Sequence, residues 1–171
     1  MYTLPEEPLG NATVPGMSVA ENLALRTFDR APVARGGFLL DRSAMGQAAE
    51  TAIDRFSIHT RSPWNPIRDL SGGNVQRAVL ARDLGGNNAR VMVVANPCFG
   101  LDFAATAFVH NKLVQLRNSG GAVLLVSEDL DELLKLADRI VIMSGGELAH
   151  ETSRADIDLA VVGRYMGGHG A

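Results

Sequence analysis

The sequence has 171 residues, 46% of them hydrophobic, and a net charge of −3, which fits a single globular domain with a substantial core. The slightly negative charge excludes a basic field for gripping nucleic-acid phosphates, and a single cysteine excludes an internal disulfide. Apolar runs of about five or six residues are far shorter than the roughly 20 that a membrane helix needs, so we expect a cytoplasmic domain that reaches a membrane only through a partner.

The beginning of the chain is predicted to be mostly irregular, with one short helix. Prolines and glycines in residues 2–16 indicate irregular structure after a strand end at the N-terminus. Ser18 followed by Glu21 has the form of a capping box, which predicts a helix that runs through Leu25. We expect residues 27–37 to form a loop.

Two longer helices are predicted where apolar residues recur at helical spacing. They span Ser43–Phe56 and Asn74–Leu84, and prolines and glycines break the chain between them. Trp64 lies in this break, and we favour a core position for its side chain over an exposed position near a surface that docks on a membrane partner.

From residue 91 onward, short apolar runs alternate with helical segments. Continuous apolar runs of this length are typical of strands that are buried on both faces. The alternation therefore predicts an α/β fold, in which helices cover the faces of a parallel sheet. The predicted strands are Val91–Val94, Ala122–Val126 and Ile140–Met143; the predicted helices are Phe103–Asn118 and Leu130–Ala137; a hairpin turn is predicted at Gly145–Gly146.

The segment that carries chemistry is Leu70-Ser-Gly-Gly-Asn-Val-Gln-Arg77, a loop with two glycines that runs directly into a helix. Glycines let the backbone approach a ligand closely, and the free N–H groups and dipole of a helix N-terminus favour an anion. Ser71 adds a hydroxyl donor. These features together fit a phosphate contact, although Ser-Gly-Gly by itself better fits a flexible loop that caps a helix.

The whole segment resembles the signature motif of ATP-binding-cassette (ABC) ATPases. In that family the motif is followed by an apolar strand, a Gly-Leu-Asp turn, a helix, a second apolar strand and a strand hairpin, and the same order occurs here, with the turn at residues 100–102. The resemblance covers nearly all of the chain. It implies the P-loop NTPase fold of an ABC cassette, here a helical subdomain with a parallel-sheet core that lacks the Walker A segment.

The beginning of the chain also fits this family. Leu4-Pro-Glu-Glu7 and the segment from Met17 to Leu23 resemble the second cassette of sugar and nucleoside importers. We therefore interpret the chain as the C-terminal portion of such a cassette. This interpretation divides the sequence into a residual core segment at 1–20, a helical subdomain at 21–86 that ends in the signature motif, and the C-terminal part of the ATPase core at 87–171.

Three departures from the family indicate that the chain's own nucleotide site is inactive. The sequence has no Gly-x-x-x-x-Gly-Lys-Ser/Thr, the loop that cradles the β- and γ-phosphates. Ala95 and Asn96 stand where the family has Asp-Glu, which serves magnesium and the attacking water. Glu128 replaces the histidine that contacts the γ-phosphate.

In this family two cassettes dimerise head to tail, so that the signature of one closes over the nucleotide of the other. The resemblance implies that a partner cassette binds most of the ATP and Mg²⁺. It also implies permease subunits as membrane partners, a place on the inner face of the cell membrane and no nucleic-acid partner. We expect no catalytic residue and no metal ligand in this chain; the expected nucleotide contacts are Ser71, Gly72, Gly73, Asn74, Gln76 and Asp102.

Alternatives remain at the level of one residue and of the whole chain. Asp102 resembles the dimer-contact loop of the family, but it is equally well placed to cap the helix that begins at Phe103. For the whole chain, the leading prediction is an importer subunit for nucleosides or sugars. The alternatives are a soluble ABC-type ATPase acting on nucleic acid or the ribosome, and a non-catalytic interaction fragment of a truncated gene.

Overall fold

The computed structural model describes residues 1–36, 39–85 and 90–167, which form two compact units, Met1–Val126 and Ser127–Ala171. The helices are α1 (Pro8–Asn11), α2 (Val19–Ala24), α3 (Arg42–Phe56), α4 (Gly72–Leu84), α5 (Phe103–Asn118), α6 (Leu130–Leu136) and α7 (Leu159–Met166). The strands are β1 (Tyr2–Leu4), β2 (Ala34–Arg35), β3 (Leu39–Leu40), β4 (Val91–Ala95), β5 (Ala122–Val126), β6 (Arg139–Ser144) and β7 (Glu147–Ser153). None of these helices is long and apolar enough to span a membrane.

The sheet of the first unit is parallel, as predicted, with the strand order β1-β4-β5. Leu4 pairs with Val94, and Val94 pairs in turn with Leu125. Met92 and Val94 of the central strand are fully buried, and α5 runs from the end of β4 back to the start of β5. The sheet thus places the turn at residues 96–102 at the carboxyl end of its central strand.

The prediction that β5 is buried on both faces is wrong for the described residues. Leu124 is 60% exposed and Val126 is 54% exposed. Within the first unit β5 is an edge strand, and no element of that unit covers the face that carries these two side chains. The apolar residues of β5 give it two faces that are suited to burial, but the sequence of the strand does not say which element covers each face.

Two helices of the first unit, α2 and α3, begin directly after residues that cap them with their side chains. Ser18 accepts a hydrogen bond from the N–H of Glu21, and the Glu21 carboxylate accepts one from the N–H of Ser18 at 2.8 Å, which completes the predicted capping box. The helix ends at Ala24. The third helix is capped by Asp41 and starts one residue before the predicted helix at Ser43. The three helices α2, α3 and α4 pack together around a small apolar cluster: Ala20, Ala24, Val33, Met45 and Ala49.

Two short elements and one side chain differ from the predictions. Pro8 starts the one-turn helix α1 inside a stretch predicted to be irregular, because a proline suits the first turn of a helix. The predicted loop contains β2, which pairs with β3; Gly37 at its end lies outside the described residues. The favoured core position for Trp64 is wrong: its side chain is on the surface, 37% exposed, against Gly46 and under the guanidinium of Arg42.

A buried ion pair holds the end of α4 in the first unit. The Asp83 carboxylate is fully buried and contacts Arg82 at 2.8 Å and Arg26 at 2.6 Å. Arg82 also donates to the backbone carbonyl of Ala12, so that α4 is tied to the N-terminal segment. The hydrogen bond to Asp83 is the main reason that the pKa of Arg26 is raised.

The second unit consists of a helix, a hairpin and a further helix. Residues Gly145 and Gly146 both have positive φ angles, 59° and 86°, which suits the tight turn between β6 and β7 and confirms the predicted hairpin. Ile140 and Ile142 on one face of β6 are buried, and so is Val162 of α7. The functional division at residues 20 and 86 stays a prediction, since the two compact units meet at residue 126.

Candidate functional site

The signature segment forms the free N-terminus of α4. Ser71 is the N-cap residue in an extended conformation, and its carbonyl accepts hydrogen bonds from Asn74 at 2.9 Å and Val75 at 3.0 Å. This is why α4 begins at Gly72, two residues before the predicted start. The N–H groups of Gly72 and Gly73 come first in the helix, where no preceding turn offers an acceptor. Two donors and the positive end of the helix dipole therefore coincide there.

Asn74 orients the hydroxyl of Ser71. The Asn74 amide donates to Ser71 Oγ at 2.9 Å, and its carbonyl oxygen accepts from the backbone N–H of His59 at 2.8 Å. A serine hydroxyl has one proton to donate, and here Oγ already accepts, so the proton is available to an outside acceptor. Ser71 is exposed, so a phosphate oxygen can reach it. In this arrangement Asn74 acts on Ser71 and is itself engaged with the protein.

The two glycines of the motif have different surroundings. A Cβ atom on Gly72 would meet no atom within 4 Å, so the space beside this residue is open. A Cβ atom on Gly73 would lie 3.2 Å from the Cβ of Ala105 and 3.8 Å from Leu101. Gly73 thus permits close packing of α4 against the start of α5. Gly72 instead borders open space, which a ligand can occupy.

Gln76 connects α4 to the turn after the central strand. Its side chain is buried, and the amide donates to the backbone carbonyl of Pro97. A contact between this side chain and a nucleotide stays a prediction, since the described geometry gives it a partner inside the protein. Through Gln76 and the Gly73–Ala105 contact, the N-terminus of α4 and the turn at residues 96–102 form one packed assembly.

Asp102 ends that turn and caps α5. Its side chain accepts a hydrogen bond from the N–H of Ala105 at 2.8 Å, which confirms the capping prediction. Asp102 is also exposed, and two exposed rings flank it, Phe99 at 90% and Phe103 at 96%. The dimer contact that the family resemblance implies for Asp102 stays a prediction that this exposed position allows.

The end of the central strand carries an alanine and an asparagine. Asn96 has a positive φ angle of 40°, its N–H donates to the carbonyl of Val126 at 2.8 Å, and its side-chain amide donates to the carboxylate of Glu6. Ala95 has no ligand atom, and the Asn96 side chain is a poor proton acceptor. The residues at this position therefore do not supply the pair of carboxylates that metal-assisted hydrolysis uses. Glu128 is an exposed residue of the second unit.

Two contacts at the candidate site had no sequence signal. Gln76 and Pro97 are 21 residues apart, and Asn96 and Glu6 are 90 apart. Neither pair belongs to a local pattern such as a cap or a heptad. The only indication in the sequence is that each of these polar residues stands next to a recognisable motif.

Comparison with curated proteins finds relatives among bacterial import proteins. The chain is 33% identical over 165 residues to the nucleoside import ATP-binding protein NupA of Lactococcus lactis, a match that covers 94% of the chain and 32% of that protein. It is 42% identical over 149 residues to the ribose import ATP-binding protein RbsA of Corynebacterium glutamicum, covering 86% of the chain and 28% of the relative. The chain thus spans about a third of the length of these relatives. No protein-family model matches the sequence.

Solved structures confirm the predicted fold. The ATP-binding cassette MJ0796, in a dimeric post-hydrolysis state bound to ADP and Pi, superposes with a TM-score of 0.67 at 22% identity. This match covers 84% of the chain and 59% of the cassette. A second dimeric structure of the same bacterial ABC transporter cassette gives a TM-score of 0.64 over the same shares.

Proposed function

Since this chain is homologous over most of its length to ATP-binding proteins of ABC importers and has the ABC cassette fold, we propose that it supplies the signature side of an ATP site. The nucleotide and its Mg²⁺ are held mainly by a second cassette, packed head to tail against this one. The contact surface consists of Ser71, Gly72 and Gly73, next to the turn that ends at Asp102.

The observation that carries this proposal is the free N-terminus of α4. The Ser71 hydroxyl and the N–H groups of Gly72 and Gly73 offer three donors in one place. A triphosphate that arrives on a partner surface finds these donors arranged before it binds, so that little reorganisation is needed. The open space beside Gly72 gives the phosphate room to approach.

Hydrolysis at a site of the chain's own is not part of this proposal. Ala95 offers no oxygen to a metal-bound water, and Asn96 gives its amide to Glu6. A carboxylate pair would be needed there to hold magnesium and to accept a proton from water. The role that fits the chain is therefore to complete a site on another cassette.

The transported solute is proposed from the relatives. NupA is a nucleoside import protein and RbsA a ribose import protein, so a nucleoside or a sugar is the solute that best fits this chain. Coupling to transport then needs permease subunits in the membrane, with this chain on the cytoplasmic side.

The test compares two substitutions in an assembly of this chain with an active partner cassette. Ser71→Arg removes a donor and fills the space in front of α4, and we expect ATP hydrolysis to fall by roughly 100-fold or more. Glu128→Ala changes the residue that stands where the family has the histidine that contacts the γ-phosphate. We expect it to change ATP hydrolysis by less than about twofold, since the proposal places no phosphate at that position.

Both variants must be recovered at wild-type levels with the partner bound, which separates a loss of rate from a loss of folded protein. Unchanged hydrolysis in Ser71→Arg would mean that the signature segment does not meet the nucleotide. A large loss in Glu128→Ala would mean that the chain's own site takes part in the reaction.

A further inference from the structure

Three cations, one of them Arg77 at the end of the signature segment, lie around two aromatic rings in the first unit. The rings of Phe56 and Phe108 meet edge to face, with centroids 6.2 Å apart. The Lys112 ammonium lies 4.8 Å from the first centroid and 5.3 Å from the second. The guanidinium of Arg77 lies 4.0 Å from the ring of Phe108, and that of Arg55 lies 5.6 Å from the ring of Phe56.

These three cations, which we call the cation cluster, have no carboxylate partner among the described residues. Arg55 donates to the backbone carbonyl of Gly85, Arg77 to that of Phe56, and Lys112 to the side-chain oxygen of Gln115. Arg55 and Lys112 thus lie close enough for their charges to interact, and Arg77 shares the ring of Phe108 with Lys112, in a chain whose net charge is −3.

The electrostatics of Lys112 reflect this arrangement. Burial is the main cause that lowers the pKa of its ammonium, and the positive charge of Arg55 lowers the pKa further. Each aromatic face attracts a cation, more strongly the further the cation is desolvated. The rings compensate part of the charge, but they do not remove the repulsion between neighbouring cations.

We propose that the cation cluster is a binding site for an anion with phosphate or carboxylate oxygens. Arg55 is exposed, whereas Arg77 and Lys112 are half-buried, so an anion can enter from the side of Arg55. Both arginines can donate two parallel N–H groups to such an anion, and Lys112 adds a point charge. Of the signature segment the site uses only Arg77, and it does not depend on the function proposed for Ser71, Gly72 and Gly73.

The two lysines of the chain make the test direct. Lys112 and Lys135 are the only lysines, and Lys135 lies on α6 in the second unit, so it serves as an internal control. The chain is labelled with a limiting amine reagent near pH 8, and modification of each lysine is measured by mass spectrometry. Inorganic phosphate and acetate are each compared with chloride at equal ionic strength.

A bound anion raises the pKa of Lys112 and shields it, so the neutral, reactive amine becomes rarer. We expect phosphate to lower the labelling of Lys112 by about threefold to tenfold, since one pKa unit changes the reactive fraction about tenfold. Labelling of Lys135 stays constant. Protection by acetate as well assigns the site to oxygen anions in general, and protection by phosphate alone assigns it to phosphate.

The variant Arg55→Gln keeps a long polar side chain at an exposed position and removes one charge of the cluster. Its fold is checked by the fluorescence of Trp64, the only tryptophan. We expect at least half of the phosphate protection to disappear in this variant. Equal labelling of Lys112 in phosphate and chloride, a parallel loss at Lys135, or full protection in folded Arg55→Gln would each overturn the proposal.

Discussion

Replacing Gly72 by alanine should stabilise the chain and at the same time impair the site. Gly72 begins α4, its φ angle is not positive, and a Cβ atom there meets nothing within 4 Å. Alanine at such a position stabilises a protein by about 0.4–1 kcal/mol, because the unfolded chain loses conformational freedom. For a chain of this length that corresponds to a rise of roughly 1–4 °C in the melting temperature.

The same methyl group points into the space where the proposed phosphate approaches. A displacement of the nucleotide by about 1 Å costs up to roughly 100-fold in rate, so we expect ATP hydrolysis by the assembly with an active partner cassette to fall by at least about tenfold. Melting is followed by circular dichroism of the chain and hydrolysis by phosphate release from the assembly. The two measurements should move in opposite directions.

Gly163→Ala is the matched control. Gly163 lies within α7 of the second unit, and its Cβ position is also free of neighbours within 4 Å. This substitution should stabilise the chain by a similar amount and leave hydrolysis unchanged. Full activity in Gly72→Ala would refute the argument that the open space is used by a ligand, and a lower melting temperature would refute the reasoning on its backbone.

Two further outcomes test the buried ion pair and the loss of hydrolysis. Asp83→Ala leaves Arg82 buried without its carboxylate and should cost about 3–5 kcal/mol of unfolding free energy in urea titrations, whereas a loss below about 1 kcal/mol would contradict the structural role. The 171-residue chain alone should release no phosphate from ATP, even with Ala95→Asp and Asn96→Glu combined, because the sequence has no loop to hold the phosphates. Magnesium-dependent turnover that co-purifies with the chain through two different columns would contradict this.

Local chemistry explains why most helices could be predicted. The capping box at Ser18 and Glu21 is a contact over three residues, and it occurs as the pattern predicts. The bounds of Phe103–Asn118 agree with the prediction at both ends, because Asp102 caps the start and the two glycines after Ser119 end the helix. Signals of this kind act within one turn of the chain, so a single sequence contains all of their parts.

Burial was less predictable than secondary structure, because it depends on what lies across a surface. The apolar runs at 91–94 and 122–126 predict strands correctly, yet Leu124 is 60% exposed. The burial of Trp64 was also predicted wrongly from local sequence. Its size favours a core position, but a neighbouring glycine at position 46 and the guanidinium of Arg42 give the ring a place on the surface.

Within the candidate site, the sequence identified the motif but not the role of each of its residues. Six residues fit a nucleotide contact by resemblance, and the structure distinguishes them by their partners. The Cβ position of Gly73 faces Ala105, and the side chain of Gln76 reaches the carbonyl of Pro97, so both residues also pack α4 against its neighbours. Such partners come from distant parts of the chain, and only the folded geometry brings them together.

The two tasks at an ATP site make different chemical demands, and the proposed function assigns this chain only one of them. Binding the far side of a triphosphate needs neutral donors with little freedom, which the start of α4 and the Ser71 hydroxyl provide without any charged group. Hydrolysis needs carboxylates that hold a metal and accept a proton, and neither Ala95 nor Asn96 can do so. Because such donors act only on a phosphate that is held by other groups, the proposed function requires a second nucleotide-binding surface. This dependence is the physical reason to look for the function of the chain in an assembly.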